Sequence, residues 1–332
     1  MAHGAGGRLS DQLITGLFRQ CFDDVELARG HDGAVLALEH EGTNPGKLAF
    51  TTDSYVVNPL FFPGGDIGSL AVFGTANDLA MCGARPLFLS VAFILEEGLE
   101  MAILARVVQS MAAAAKQASI RIVTGDTKVV ERGHGDGIFI STSGCGLVPD
   151  DRQVGPENIA PGDAILVNGD IGRHGIAVMA SRQGLSFETP LESDCAPLVD
   201  AVEALFDAEL SVHCMRDMTR GGLASTVVEI AERAGMDAEL EEADIPVSDS
   251  VRGACEILGF DPLYVANEGR FALYVPETDT EAALAILRKH HPQARRVGKV
   301  LGLGKGRVGM RSLIGGIRPV DMLVGDQLPR IC

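Results

Sequence analysis

The sequence lacks C-x-x-C pairs and long apolar runs, and each absence excludes a class of protein. Its seven cysteines are odd in number and mostly lie within apolar segments, so we expect reduced core thiols, not a disulfide framework or a zinc site. No segment approaches the ~18 consecutive apolar residues that indicate a membrane-spanning helix, and the N-terminus has no signal-peptide core. The sequence therefore predicts a cytoplasmic protein with no membrane partner.

Basic residues are scarce. The 28 lysines and arginines are outnumbered by 45 acidic residues, which gives a formal net charge of −17. This charge argues against nucleic acid or an anionic membrane as the main partner. An acidic protein can still bind a polyphosphate if divalent cations lie between the carboxylates and the phosphates.

The familiar nucleotide-binding motifs are absent or out of context. There is no G-x-x-x-x-G-K-[ST] phosphate-binding loop. A G-x-G-x-x-G run covers residues 304–309, but no helix is predicted after it to present its N-terminus to a pyrophosphate. We interpret this run as a hairpin turn.

Helices and strands alternate along both halves of the chain, which predicts an α+β (mixed α/β) fold with mixed sheets. Helices are predicted over residues 9–18, 67–81, 102–117, 176–183, 198–206, 223–233 and 281–289. Strands are predicted over residues 34–38, 48–55, 87–95, 121–130, 137–148, 164–167, 270–275, 296–300 and 306–317. We divide the chain into an N-terminal domain (1–152), a C-terminal α/β domain (153–318) and a mobile tail (319–332).

Four aspartates occupy predicted strand ends or turns and have glycine, threonine or asparagine neighbours. They are Asp53, Asp78, Asp126 and Asp217. Carboxylates in such settings suit hard divalent cations, which prefer oxygen ligands and keep positions open for phosphate oxygens. Each aspartate taken alone also fits a helix cap or an Asx turn.

Two further residues could take part in chemistry. Lys128 follows Asp126 at the same strand end, where its ammonium group could stabilise charge on a transferred phosphoryl group. Glu268 lies in a turn after an apolar strand and could be a base, an acid or a metal ligand. The alternatives are an ordinary surface lysine and a solvated turn carboxylate.

The chain ends on Cys332, at the point where a polypeptide is usually least ordered. An extended segment from residue 318 to residue 332 would span roughly 45–50 Å, enough to carry the thiol to a distant site. The simpler interpretation is a frayed end that happens to finish on cysteine.

Taken together, these segments resemble the HypE family of hydrogenase maturation factors, in the superfamily that includes aminoimidazole ribonucleotide synthetase and selenophosphate synthetase. The matching segments are HGAGG (3–7), TDSYVV (52–57), PLFFPGG (59–65), GTAND (74–78), FILEEG (93–98), VTGDTKVV (123–130), RDMTRGG (216–222), ANEG (266–269) and the terminal PRIC (329–332). The resemblance covers essentially the whole chain. The terminal PRIC distinguishes this family from its relatives.

The resemblance implies a two-domain fold whose N-terminal sheets form a β-barrel across a homodimer, with ATP between the domains. It implies an ATP-dependent dehydratase that converts an S-carbamoyl group on Cys332 to a thiocyanate, the source of the cyanide ligand of [NiFe]-hydrogenase iron. The implied partners are HypF, which carbamoylates Cys332, and the HypC–HypD complex, which accepts the cyanide.

The resemblance also implies roles for individual residues. Magnesium would be held by Asp53, Asp78 and Asp217, with Asp126 as a fourth contributor. These roles make Asp53, Asp78, Asp126 and Lys128 nucleotide-binding residues, and the loop containing Gly4, Gly6 and Gly7 could close over the phosphates. Lys128 would support phosphoryl transfer, and Glu268 is the candidate base acting on the group carried by Cys332.

Two alternatives stay open at this stage. One is another ATP-dependent member of the superfamily that acts on a small molecule, and the other is a non-catalytic, nucleotide-sensing adaptor. Neither requires the sulfur of Cys332 to change chemically, so removal of that residue separates them from a dehydratase that modifies its own tail.

Overall fold

A computed structural model of the protein describes residues 8–18, 21, 31–37, 46–184, 191–323 and 331–332. Its helices and strands form two domains, each built on its own mixed sheet. None of the helices in these ranges is long and apolar enough to cross a membrane. The α+β fold with mixed sheets is therefore confirmed.

The N-terminal domain is a five-stranded sheet with helices on one face. Its elements are α1 (Arg8–Leu13, followed by a π-helical turn at Ile14–Phe18), β1 (Ala34–Ala37), β2 (Lys47–Tyr55), β3 (Phe61–Phe62), β4 (Gly65–Asp66), α2 (Ile67–Met81), β5 (Arg85–Glu96), α3 (Met101–Gln117), β6 (Arg121–Val130) and β7 (Ile138–Val148). The strand order is β1-β2-β7-β5-β6, with β3 and β4 forming a separate short hairpin. Burial alternates along β7, as expected for a sheet that is covered on one face.

The C-terminal domain is a seven-stranded sheet covered on both faces. Its elements are β8 (Ala164–Val167), α4 (Arg173–Gln183), α5 (Val199–Asp207), β9 (Cys214–Asp217), α6 (Gly222–Ala234), β10 (Met236–Glu241), α7 (Asp249–Leu258), β11 (Phe271–Val275), α8 (Thr280–His290), β12 (Arg295–Leu303), β13 (Val308–Arg311) and β14 (Ile317–Val320). The strand order is β14-β13-β10-β12-β8-β11-β9. The central strands β8 and β11 are buried along their whole length, and their alternate side chains enter two different hydrophobic cores.

Helix α2 lies between the two domains. Asp66 caps its N-terminus, where the side chain accepts hydrogen bonds from the backbone N–H groups of Gly68 (2.7 Å) and Ser69 (3.1 Å). The helix is apolar all round and packs on both the N-terminal sheet and strand β9. Its burial explains why the sequence shows no polar face here, and it fixes the last turn at the cleft between the domains.

Some sequence predictions need correction. The predicted strand over 306–317 is wrong, because β13 and β14 form a hairpin around residues 312–316. Strand β14 also reaches Val320, so residues 319 and 320 belong to the sheet and not to the tail. Helix α7 and strands β3, β4, β9 and β10 were not predicted; these strands have only two to six residues, and β10 is acidic. The G-x-G-x-x-G run is not the predicted hairpin turn, because the strands it connects, β12 and β13, lie on either side of β10 and do not pair with each other. It is held by Asp237, which accepts hydrogen bonds from the backbone of Lys305 (2.9 Å) and Arg307 (2.8 Å).

The face of the N-terminal sheet opposite α2 and α3 is open and partly apolar. Register places Phe50, Cys145 and Phe88 side by side across β2, β7 and β5 on this face. Ile94 and Leu147 lie on the same face and are about two-fifths exposed. An exposed sheet face of this kind favours association with another copy of the chain.

We expect Ile94→Glu to convert a dimer into a monomer, because the interface would bury an unpaired carboxylate. The dimer dissociation constant should increase roughly 100-fold or more. Sedimentation equilibrium of the parental protein and the variant measures this change. Leu303→Glu, at an exposed leucine of the other domain, is the matched control and should leave the mass unchanged. A dimeric Ile94→Glu protein would contradict an interface on this face.

Candidate active site

A polar cleft lies where the two domains meet, and six of its seventeen lining residues are acidic. It is bounded by His31, Asp32, Thr51, Thr52, Asp53, Ser54, Tyr55, Gly74, Asp78, Arg216, Asp217, Thr219, Arg220, Thr226, Glu229, Glu268 and Cys332. Five of the residues predicted from the sequence therefore come together here: Asp53, Asp78, Asp217, Glu268 and Cys332. The structure thus brings these five side chains to one cleft, and the roles predicted for them stay predictions.

Three carboxylates form the tightest group in the cleft. Each of Asp32, Asp78 and Asp217 contributes one oxygen to a set whose members all lie within 4.8 Å of one another. Asp78 is in the last turn of α2, Asp217 ends β9, and Asp32 precedes β1. Three elements that are distant in sequence thus bring their carboxylates to one point.

Asp53 lies beside this group on β2. Its carboxylate accepts a hydrogen bond from the Tyr55 hydroxyl (3.2 Å) and pairs with the Arg220 guanidinium at 3.4 Å. Thr51, on the same strand, donates to Asp78 at 2.9 Å. Strand β2 therefore contributes one carboxylate and orients a second.

A glycine turn positions Asp217 and Arg220. Gly221 and Gly222 both have positive φ, of 68° and 60°, and connect β9 to α6. A Cβ atom on Gly222 would lie only 2.5 Å from the carbonyl oxygen of Leu263, so no side chain fits. The Arg-Gly-Gly sequence is thus required for the chain to leave β9 and enter α6 beside the cleft.

Burial and mutual repulsion raise the pKa values of these groups. Burial, followed by the charge of Asp32, raises the pKa of Asp217 to about 7. Burial, together with the neighbouring Asp53, raises the pKa of Asp78 well above its usual range. A bound divalent cation would reverse this effect by stabilising the ionised forms.

The donor set fits a magnesium ion. All its ligand atoms are carboxylate oxygens, and Oδ2 of buried Asp32 has no hydrogen-bond partner among the described residues. Asp32 was missed in the sequence, where its only signal is an Asp-Gly pair before a short strand. Arg216 pairs with the other oxygen of Asp32 at 3.1 Å and with Glu229 at 2.9 Å, which fixes the orientation of Asp32.

The end of the chain occupies the same cleft of its own molecule. Ile331 is buried, and its carbonyl oxygen accepts a hydrogen bond from His174 Nε2 at 2.6 Å. The carbonyl oxygen of Cys332 accepts a hydrogen bond from the backbone N–H of Val56 at 3.1 Å. In this state Cys332 is partly buried, whereas Cys21 is exposed.

Glu268 is the charged group that most affects the Cys332 thiol. Burial, followed by the charge of Glu268, raises the pKa of Cys332 to about 12, so the docked sulfur is protonated at neutral pH. Burial, followed by Asp217, raises the pKa of Glu268 well above its usual range. Oε1 of Glu268 has no hydrogen-bond partner among the described residues, which leaves it available to a group carried by the tail.

Two predicted residues do not join this site within one chain. Asp126 and Lys128 lie on β6 and form an exposed ion pair at 2.8 Å. Register places them on the open face of the sheet, across from Ala92 and Ile94. Asp53 is on the opposite face of the sheet. Asp126 therefore does not lie beside the carboxylates of Asp32, Asp78 and Asp217 in its own chain. Gly4, Gly6 and Gly7 lie outside the described residues.

The raised pKa of Asp217 makes metal-free stability depend on pH. The folded carboxyl keeps its proton up to about pH 7, whereas the unfolded chain releases it near the ordinary value of 3.8. Stability should therefore fall as the pH rises through this window, and Mg²⁺ should restore it above about pH 7. We expect Asp217→Asn to weaken both effects, while Asp78 keeps a raised pKa, and to stabilise the metal-free protein at about pH 8 by roughly 1–2 kcal/mol.

Thermal unfolding with EDTA or Mg²⁺ at several pH values tests this. Asp151→Asn, at an exposed aspartate in the turn after β7, is the control and should behave like the parent. An equal response to Mg²⁺ in parent and Asp217→Asn would place the cation elsewhere.

Comparisons with known proteins agree with this fold and site. A family model for the N-terminal domain of AIR synthase related proteins matches residues 30–148, and the model for the C-terminal domain matches residues 160–311. The carbamoyl dehydratase HypE of Cupriavidus necator is 50% identical over 334 residues, covering 100% of this chain and 94% of that protein. HypE of Escherichia coli K12 is 46% identical over 336 residues, covering 100% and 98%.

Solved structures give the same result. A crystal structure of the hydrogenase maturation protein HypE in complex with ATP superposes with a TM-score of 0.83 at 48% identity, covering 99% of this chain and 98% of that chain. HypE in a HypE–HypF complex gives a TM-score of 0.86 at 44% identity, covering 94% and 99%. From the residues of the cleft, the docked cysteine and these full-length similarities, we conclude that the chain belongs to the HypE carbamoyl dehydratase family of AIR synthase related proteins.

Proposed function

We propose that the protein uses ATP to dehydrate an S-carbamoyl group on its own Cys332 to a thiocyanate, which supplies the cyanide ligand of [NiFe]-hydrogenase iron. The observation that carries this proposal is the position of Cys332, inside the acidic cleft of its own chain and beside Glu268. A superfamily enzyme for a small substrate would need this space free. The docked tail therefore favours a substrate that is part of the protein.

The reaction removes one oxygen and two protons from the carbamoyl group. Cys–S–C(O)NH₂ becomes Cys–S–C≡N, and the oxygen leaves as part of inorganic phosphate while ATP becomes ADP. When bound, ATP–Mg²⁺ supplies the phosphoryl group that makes the amide oxygen a good leaving group. The chain itself must hold the tail, bind the cation and remove the protons.

Glu268 is suited to take a proton from the carbamoyl nitrogen. A base works best when its pKa lies near the working pH, and burial has raised the pKa of this carboxyl in that direction. Its unpartnered Oε1 can receive the proton. The backbone carbonyl of Glu268 accepts a hydrogen bond from Asn77 at 3.3 Å, which ties this turn to α2.

The carboxylates on the other side of the cleft are suited to the cation. Asp32, Asp78 and Asp217 would hold Mg²⁺, with Asp53 beside them. Arg220 is a further candidate for contact with phosphate, because its guanidinium lies at the mouth of the cleft and is more than half exposed. It pairs with Asp53 and lowers the pKa of Cys332, which places it between the carboxylates and the tail.

The high pKa of docked Cys332 argues that the tail also has an outward state. A thiol with a pKa of about 12 has almost no thiolate at neutral pH and is a poor nucleophile. HypF would therefore load the carbamoyl group while the tail is outside the cleft, and HypC–HypD would take the cyanide from an outward tail. We propose that these encounters take place in the cytoplasm.

Mass spectrometry of the C-terminal peptide tests the function. In protein carbamoylated by HypF, the peptide ending at Cys332 should become lighter by one water only when ATP and Mg²⁺ are added. Glu268→Gln keeps the shape of the side chain but removes the base, and should slow the step at least ~100-fold. A peptide of unchanged mass in the parental protein, or an equal rate in Glu268→Gln, would refute the respective assignment.

Lys128 can serve a site only in an assembled dimer, since β6 faces away from the cleft of its own chain. We expect a mixed dimer of Lys128→Ala and Cys332→Ser subunits to dehydrate the one remaining tail. In this dimer the active chain would receive Lys128 from its partner. Lys128→Ala homodimers should be inactive, and Arg132→Ala, a nearby exposed change, is the control. An inactive mixed dimer would contradict a role for Lys128 across the interface.

A further inference from the structure

His174 lies behind the docked tail and touches none of the reacting groups. It is the second residue of α4 and is fully buried. Nε2 contacts the Ile331 carbonyl oxygen at 2.6 Å, and Nδ1 contacts the Ser193 hydroxyl at 2.8 Å. The ring also packs edge-on against Phe62, with centroids 5.3 Å apart.

These contacts fix the protonation pattern of the ring. A carbonyl oxygen can only accept, so Nε2 carries a proton and donates it to Ile331. Burial lowers the pKa of His174, so the ring is neutral and Nδ1 accepts from the Ser193 hydroxyl. Ser193 in turn accepts from the backbone N–H of Cys195 at 3.0 Å, and its own N–H donates to the carbonyl of Pro63 at 2.8 Å.

We propose that His174 is a positioning residue, which holds the Ile331 carbonyl and thereby sets the fraction of molecules whose Cys332 lies in the cleft. The only other backbone hydrogen bond from the described body of the protein to these last two residues is the one from Val56 to Cys332. Loss of the His174 contact would leave the Ile331 carbonyl buried without a donor. The docked state would then be disfavoured about tenfold.

The effect on docking does not depend on the proposed dehydratase activity, whereas the effect on turnover does. Docking can be measured on the unmodified protein, because a thiol is alkylated by iodoacetamide faster when it leaves a buried site. Turnover is measured separately on carbamoylated protein. A failed activity assay therefore leaves the docking result intact.

Two substitutions separate the hydrogen bond from the bulk of the side chain. The amide nitrogen of His174→Gln reaches about as far as Nε2 and can still donate to Ile331, whereas the shorter His174→Asn amide reaches only the position of Nδ1. We expect Asn to raise the alkylation rate of Cys332 about tenfold and to slow dehydration in proportion, with KM for ATP unchanged. Gln should stay within about twofold of the parent in both.

Alkylation is followed by mass spectrometry of the C-terminal peptide, with exposed Cys21 as an internal reference and His134→Asn, at an exposed histidine, as the control variant. Equal alkylation rates of Cys332 in the His174→Asn and His174→Gln variants would overturn the proposal, because the size of the side chain, not its hydrogen bond, would then account for docking of the tail. Ser193→Ala keeps the ring and removes the hydroxyl that donates to Nδ1 and orients the ring. It should also speed alkylation, and if a histidine variant does not fold, an unchanged rate in Ser193→Ala overturns the proposal.

Discussion

The crowding of carboxylates in the cleft is the constraint on which the rest of this structure depends. Asp32, Asp78 and Asp217 stand within 4.8 Å of one another, with Asp53 and Glu268 close enough to raise their neighbours' pKa values. Without a cation such a group is held together only by the fold around it. Helix α2 and the glycine turn after β9 supply that rigidity, since both are deeply buried.

The same crowding separates two chemical roles by position. The carboxylates of Asp32, Asp78 and Asp217 lie close together and suit a cation. Glu268 is not part of that group, and its Oε1 has no hydrogen-bond partner among the described residues. One cleft can therefore hold a metal-bound polyphosphate and a proton acceptor side by side. Cys332 lines the same cleft, and burial together with the charge of Glu268 raises the pKa of its thiol.

Much of this arrangement could be read from the sequence. Helix 67–81 and strands 121–130 and 164–167 were predicted with their observed bounds, because strong apolar patterns end at glycine or polar signals there. Asp53, Asp78, Asp217 and Glu268 were singled out because each has glycine, threonine or asparagine neighbours beside an apolar element, although Asp53 lies within β2 and Asp78 within α2, not in turns. The resemblance of the terminal PRIC to a known family identified Cys332.

Other features of the site could not be predicted from the sequence, because they depend on contacts between distant segments. Asp32 precedes a four-residue strand, and nothing local indicates a ligand. It joins a carboxylate group only because the fold brings Asp217 of β9 and Asp78 of α2 close to it. The face of β6 that carries Asp126 and Lys128 is set by strand register, including an irregularity in β5–β6 pairing that no local pattern reveals. His174 lies in an ordinary-looking helix start, and its contact with the tail spans 157 positions of sequence.

Asn77 joins the two domains beside the cleft by hydrogen bonds. From the last turn of α2 it donates to the carbonyls of Ala196 (3.0 Å) and Glu268 (3.3 Å), and it accepts from the backbone of Leu198 (2.8 Å). A hinge that parted the two halves at this point would break all three bonds in the dry interior. These bonds resist separation of the two domains at α2, so a tail that enters and leaves the cleft without such a separation keeps all three of them.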